Sequence, residues 1–289
     1  MQIECVARPR DVLGEGPIWN EREQTLYWCD NIAGKVHRFD PATRQMKTWD
    51  TPEEIGSLVF RENGGIVAAM KRGFSFVDLD AGRYEHVADA DSGPTKCMND
   101  GKCDRRGRYW CGSINRDVKT PDAGLYRLDP DLTVTQHASG IIASNGIAFS
   151  PDDRTMYYAD SRANTVWAYD FDIESGSLGN RRVFLSTDGM EAKIDGATCD
   201  IDGNYWCAHI YDWDIACYSP QGRLIRKVRM PVRHPTMCTF GGADLDVMYV
   251  TSATRMAQPA DLQSQHEAGN LFEIRGLGTR GLPEPRFAG

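Results

Sequence analysis

The tract Asp200-Ile201-Asp202-Gly203-Asn204-Tyr205-Trp206-Cys207-Ala208 limits what this chain can fold into more than any other, because the chain repeats it. Asp, Gly and Asn supply the conformations of a tight polar turn, and Tyr, Trp and Cys suit a half-buried pleated strand. Asp104 to Cys111 is a close copy. Asn20 to Asp30, Ser150 to Asp160 and Gly241 to Thr251 are looser copies, and Arg61 to Met70 is the weakest. With Tyr27, Ile66, Tyr109, Tyr157, Tyr205 and Tyr249 as anchors, successive copies lie 39, 43, 48, 48 and 44 residues apart. A second strand-like tract follows in each unit, at Lys35 to Asp40, Gly73 to Asp80, Gly124 to Asp129, Thr165 to Asp170, Ile215 to Pro220 and Asn270 to Ile274.

Strand-built units repeating every ~40 to 50 residues are the mark of a β-propeller, since solenoids of similar period are helical and this chain has little helical periodicity. The expectation is an all-β fold, a six-bladed β-propeller forming one domain over residues 1–289. A long open sandwich is the competing architecture, and it leaves the repeat count unexplained. Residues 2 to 7 alternate as a short strand ahead of the first unit. They are expected to complete the last blade and close the ring, because a propeller leaves no sheet edge bare. Polar loops rich in Pro and Gly are expected at 50–54, 90–96, 115–123, 187–194 and 255–268.

A hydrophobic content of 41% over 289 residues is enough for a large core, and the repeats leave no room for a second domain. No run of about 18 apolar residues marks a membrane helix, and Met1 to Arg10 lacks the apolar core of a signal peptide, so a cytoplasmic location is expected. A net charge of −8 argues against a nucleic-acid partner. The nine cysteines form no Cys-x-x-Cys pair, and Cys29, Cys111 and Cys207 share one register of the repeat, as do Cys103 and Cys199. Such symmetry predicts buried thiols rather than zinc ligands or disulfides.

Four residues before the residue that opens each turn (Trp19, Phe60, Cys103, Phe149, Cys199, Phe240) stand Glu15, Gly56, Asn99, Asn145, Asp195 and Thr236. If each preceding segment is the innermost strand of its blade, equal registers sit at equal height around the channel, and two carboxylates and two amides converge there. Any one of these residues alone would usually cap a turn. Their agreement across the repeat points to a shared site. Two buried carboxylates repel and are costly to bury, so a cation is the natural compensation. All-oxygen donors favour Ca²⁺, Mg²⁺ or Mn²⁺, with Zn²⁺ and Fe²⁺ also open. Gly follows Glu15, Asn145 and Asp195, which lets backbones crowd the channel.

Leu13-Gly14-Glu15-Gly16-Pro17-Ile18-Trp19, Asn99-Asp100-Gly101-Lys102, Ser144-Asn145-Gly146 and Asp195-Gly196 resemble, in order and over nearly the whole chain, the motifs of the SMP-30/gluconolactonase family. The resemblance implies a six-bladed propeller and one divalent metal ion bound by Glu15, Asn145 and Asp195. It further implies hydrolysis of a small-molecule sugar lactone, with Asn99 beside the metal-bound water or substrate. Asp195 matches the family's proposed general base, taking the water's proton directly or relaying it. Two substrate positions are implied less regularly. Cys97 stands where the family commonly has an Arg, and the neighbouring cation Lys96 points the opposite way along an extended segment. Asp117 matches an acidic residue that some members use for substrate.

No Gly-x-Ser-x-Gly elbow, His-Glu-x-x-His or phosphate loop occurs. His209 is expected to be a hydrogen-bonded structural residue, and Tyr211, Trp213 and Arg116 lie on loops that could rim the site, although solvated surface is the expected role for each. Two other readings compete with the lactonase. One is a non-catalytic scaffold or calcium-binding propeller, against which Gly56 and Thr236 leave coordination open for water. The other is an esterase or phosphotriesterase on the same scaffold.

Overall fold

The turn residues of the repeat join the first strand of each blade to its second. In the fifth unit the Asp200 carboxylate accepts from the indole Nε1 of Trp206 at 2.9 Å and from the backbone amides of Asp202 and Asn204. One side chain thus ties the turn to the strand it feeds. In the third unit Asp104 does the same with Trp110 Nε1 (2.8 Å) and the amides of Arg106 and Arg108. The first unit replaces this pairing with Trp28 Nε1 donating to Asp11, which lies ahead of the repeat, and its turn copy is correspondingly loose.

In the computed structural model, which describes residues 1–91 and 93–289, these units are six antiparallel four-stranded sheets, each built from consecutive strands except the last. The innermost strands are Gly14–Asn20, Ile55–Phe60, Lys96–Cys103, Ser144–Phe149, Lys193–Cys199 and Pro235–Gly241. All six are buried almost end to end, whereas outermost strands such as Gln45–Asp50 and Leu224–Arg229 are largely exposed. The anchors Tyr27, Ile66, Tyr109, Tyr157, Tyr205 and Tyr249 all fall on the second strand of their blades. Strand Gln2–Ala7 pairs with Leu271–Arg275 as the outermost strand of the sixth blade, so the expected ring closure is present.

An aromatic pair joins each blade to the next. Tyr27 meets Phe60, Trp110 meets Phe149, Tyr157 meets Tyr205, Trp206 meets Phe240, and Tyr249 stacks on Trp19 where the ring closes, with centroids 5.0 to 6.3 Å apart. The second blade has Ile66 at its anchor, and its contact comes instead from Phe74 on the third strand, 5.3 Å from Tyr109. Each such pair adds about 0.5–1.5 kcal/mol beyond its buried area. The conserved spacing of aromatics within the chain is therefore the spacing of its blade contacts.

Three features go beyond the expectation. Cys5 is half-buried, while the other eight cysteines are buried as predicted, and all nine are free thiols. A short helix, Pro259–Ser264, forms inside the tract expected to be wholly loop. Finally, the chain after Arg275 crosses one end of the propeller. Arg280 O accepts from Ile201, Phe287 N donates to Phe60 O, and Ala288 N donates to Gly107 O. Beneath it the nearly buried Lys102 and Glu284 pair at 2.7 Å inside the channel. That end carries the turns after the inner strands, so the tail closes the channel opposite the loops that follow the second strands.

Candidate metal centre and active site

Each innermost strand breaks its register once, and always at the level singled out by the repeat. The pairing shifts between Glu15 and Ile18, Ile55 and Ser57, Met98 and Gly101, Asn145 and Ala148, Ile194 and Ala197, and Pro235 and Cys238. A bulge bends a strand and re-aims a side chain. Of the six bulges, four bring their register residue to one shared cavity. Gly16 (φ +57°) and Gly146 (φ +61°) supply the left-handed backbone that two of these bulges need. Crowding explains Gly196 instead, where a Cβ would stand 2.2 Å from the Met237 side chain, and Gly56, where it would stand 2.5 Å from Met98 O.

Glu15, Asn99, Asn145 and Asp195 line one cavity of about 170 Å³. Gly56 and Thr236 do not reach it. The Thr236 hydroxyl is used within the fold, bonded to Gly14 O and to the Thr251 hydroxyl. The two amides are oriented by their nitrogens. Asn99 Nδ2 donates to Ser144 O (2.8 Å) and Asn145 Oδ1 (3.1 Å), and Asn145 Nδ2 donates to Ser161 Oγ (2.8 Å). Asn99 thus has both N–H groups engaged, which leaves its Oδ1 for the cavity, whereas Asn145 has one N–H engaged and an Oδ1 that already accepts from Asn99 and keeps a second lone pair.

Glu15 and Asp195 are each 7% exposed, and among the described residues no side chain hydrogen-bonds or ion-pairs with either carboxylate. Burial pushes the Glu15 carboxyl well above its ordinary range, and the charges of Asp195 and Asp100 push it further. Burial, with Asp100 adding to it, raises Asp195 to about 8 against the opposing effect of Arg162. Asp100 is an acid whose part in this group was not apparent from sequence. It is raised to about 6 by burial, which the Ile147 amide and Lys102 partly offset, and its Oδ1 is buried without a partner. Its only signal was the Asn-Asp-Gly sequence at the bulge, where both neighbouring side chains turn inward. No imidazole or thiol lines the cavity among the described residues. Oxygen donors around uncompensated buried carboxylates fit a hard divalent cation, so the residues present suit the ion the sequence led us to expect.

The wall above this floor carries Arg116, Arg162, Lys193 and Arg255, with Ile114, Val118, Ile210, Tyr211 and Met256 between them. Arg116 and Tyr211 thus rim the site, where solvated surface is the sequence expectation for both. Trp213 does not, and lies instead under the Arg229 guanidinium. His209 is structural, buried against the Tyr218 hydroxyl at 3.1 Å and pushed down to about 4 by burial.

The two substrate positions implied by resemblance are not among the residues of the cavity wall. Cys97 is 2% exposed and packed behind it, its thiol pushed up to about 11 by burial. Asp117 is exposed, and its carboxylate is occupied by its own loop, accepting from the amides of Lys119 and Thr120 and from the Thr120 hydroxyl. Lys96 also faces away, bonded to Asp91 and to Asp122 O. A larger groove of about 970 Å³ runs over the first two blades beside Tyr27, Trp49, Phe60 and Tyr84. It contains none of the register residues, and its charges cancel locally in pairs such as Arg22–Glu62 and Arg83–Asp78.

The chain is similar in sequence and in fold to known proteins. Residues 13–254 match the model of the SMP-30/Gluconolactonase/LRE-like region. Regucalcin of Danio rerio is 36% identical, the match covering 100% of this chain and 99% of that protein. A 6-deoxy-6-sulfogluconolactonase of Pseudomonas putida is 35% identical, with 99% of each chain covered. A solved calcium-binding protein, regucalcin from Agrobacterium tumefaciens str. C58, superposes with a TM-score of 0.94 at 25% identity, over 98% of this chain and 96% of its own. The matched region takes in all four residues of the floor. The chain belongs to the SMP-30/gluconolactonase/LRE-like family.

Proposed function

We propose that this protein is a metal-dependent lactonase that opens aldonolactones to the aldonic acids, with Glu15, Asn145 and Asp195 holding the ion. The observation that carries this reading is the pair of buried carboxylates, each without a side-chain partner among the described residues, that share a floor with two amides beneath a cavity with room for a small ring. When bound, a divalent cation supplies the positive charge that polarises an ester carbonyl and makes water more acidic.

The chain's own groups do the rest. Asn99, with both N–H bonds committed, accepts through Oδ1 from a water or a sugar hydroxyl and fixes its position. Asp195 takes the proton of the attacking water as the new C–O bond forms. It then returns that proton to the ring oxygen as the ester C–O bond breaks, which leaves the hydroxy acid. Ile114, Val118, Ile210 and Met256 exclude bulk water from this exchange. A purely structural or calcium-storing ion needs no such space above its ligands, and that favours catalysis over the scaffold reading.

A pH-indicator assay over aldono-1,4- and 1,5-lactones, with chelator and metal add-back, tests the proposal. Activity is expected to vanish with chelation and return with one divalent metal. Aryl esters and phosphotriesters in the same panel are expected to be poor substrates, and a preference for either would replace the lactonase reading. In Asp195→Asn we expect a native melt with kcat lowered about 10²-fold or more. Full turnover in that variant would remove Asp195 from the reaction.

A further inference from the structure

The four cations of the cavity wall come from four different blades. Arg116 follows the second strand of the third blade, Arg162 that of the fourth, Lys193 opens the inner strand of the fifth, and Arg255 follows the second strand of the sixth. Among the described residues the only acids lining the same cavity are Glu15 and Asp195, whose charges one divalent ion balances. Four positive charges then face the space left for substrate, in a chain whose net charge is −8. Composition alone would have placed acids there. A narrow cleft lined by one sign of charge focuses its field on whatever enters.

The four differ in how far they are already engaged. Arg116 donates to Asn31 Oδ1 and Glu54 Oε2, both at 2.8 Å, so part of its charge is answered. Lys193 donates to Asn164 Oδ1, a neutral acceptor. The Arg162 and Arg255 side chains are exposed and have no hydrogen-bond or ion-pair partner among the described residues. Position 97, where the resembled family commonly has an Arg, holds a buried Cys, and the guanidiniums of Arg116 and Arg255 lie near enough to act on its thiol. A neutral sugar lactone offers these loop arginines nothing to pair with.

Building on the lactonase reading, we infer that the preferred lactone carries an anionic group (a carboxylate, phosphate or sulfonate) remote from its ester, and that Arg162 and Arg255 are the residues that recognise it. Guanidinium groups suit all three anions through paired N–H donors. The ester then lies over the Glu15–Asp195 floor while the anion is held at the rim.

The test measures kcat/KM for the metal-loaded protein on glucono-1,5-lactone and on its 6-phosphate, 6-sulfonate and 6-carboxylate counterparts. At least one anionic lactone is expected to exceed the neutral one by about 10-fold or more, and the arm that does so identifies the anion. That advantage should shrink as ionic strength rises from about 0.02 to about 0.3 M, because screening reaches the rim. In Arg162→Gln and Arg255→Gln the ratio of anionic to neutral kcat/KM should fall toward one. A neutral lactone used as well as every anionic one, or a preference indifferent to both salt and the substitutions, overturns the inference and leaves the lactonase reading intact.

A second readout needs no turnover. Glucarate should raise the melting temperature of the wild-type protein more than gluconate does, and the double variant should lose that difference. If no lactone is hydrolysed but glucarate still stabilises selectively, the lactonase reading fails and the anion site stands. If glucarate and gluconate stabilise equally and no lactone is hydrolysed, both fail. Wild-type preference and its salt dependence decide the question even if a variant does not fold.

Discussion

At the scale of single residues, the site depends on side chains that do no chemistry. Asn145 can offer its oxygen only because Ser161 holds its nitrogen, and Asp195 can approach the axis only because Gly196 leaves room for Met237. Gly146 is the most exacting of these. Its backbone is left-handed, and a Cβ there would stand 2.4 Å from the Tyr205 hydroxyl, which itself donates to Gly146 O. Gly146→Ala is therefore expected to cost about 1–2 kcal/mol for the backbone alone, with more from displacing Tyr205. Gly16→Ala bears the backbone cost with ordinary contacts around it, so urea denaturation should rank it as the milder change. Both should weaken metal binding, read by calorimetry, because each moves the bulge that aims a proposed ligand.

At the scale of elements, the inner strand with its bulge is the repeated functional part, and the turn before the second strand holds it in register. This explains what the sequence revealed and what it concealed. Asp104 and Asp200 were legible because one carboxylate must face both its turn and a Trp six residues on. The inner strands were legible as a register, since counting back from each turn reached Glu15, Asn99, Asn145 and Asp195 without coordinates. The bulges were not, because pairing depends on the partner strand as well. Ring closure is also an element-level property: Gln2–Ala7 contributes the fourth strand of the sixth blade and covers its edge. Deleting residues 1–8 is expected to expose Leu271–Arg275 and lower the melting temperature sharply, with aggregation on heating, measured by circular dichroism and light scattering. An unchanged melt would show that the blade is stable with three strands.

At the scale of the whole molecule, the channel brings buried carboxylates together, and their mutual repulsion is what the proposed cation would relieve. In the metal-free protein Asp195 holds its proton up to about pH 8, against an ordinary value of 3.8 for the unfolded chain. Between those values the folded state binds the extra proton, so the group's stabilising contribution falls as pH rises toward 8. His137 and His209, both pushed down to about 4, act in the opposite direction, but their effect is complete near pH 6.5. From about pH 6.5 to 8 the chelated protein is therefore expected to lose melting temperature. Saturating divalent metal should raise the melt by an amount that grows with pH over the same interval. A metal-induced gain that is constant with pH would mean that the ligands are already ionised without the ion. The sequence by itself determined the number of blades, the strand that closes the ring and the four residues of the floor. All of these are periodic, and a period survives without knowledge of distance. Tertiary structure alone decided that Cys97 and Asp117 stay off the wall, that Asp100 joins the acids, that the tail after Arg275 closes the channel, and that Arg116, Arg162, Lys193 and Arg255 surround the mouth. Those outcomes belong to loops of unequal length from separate blades, and which of their side chains share a cavity is settled only when the ring brings them together.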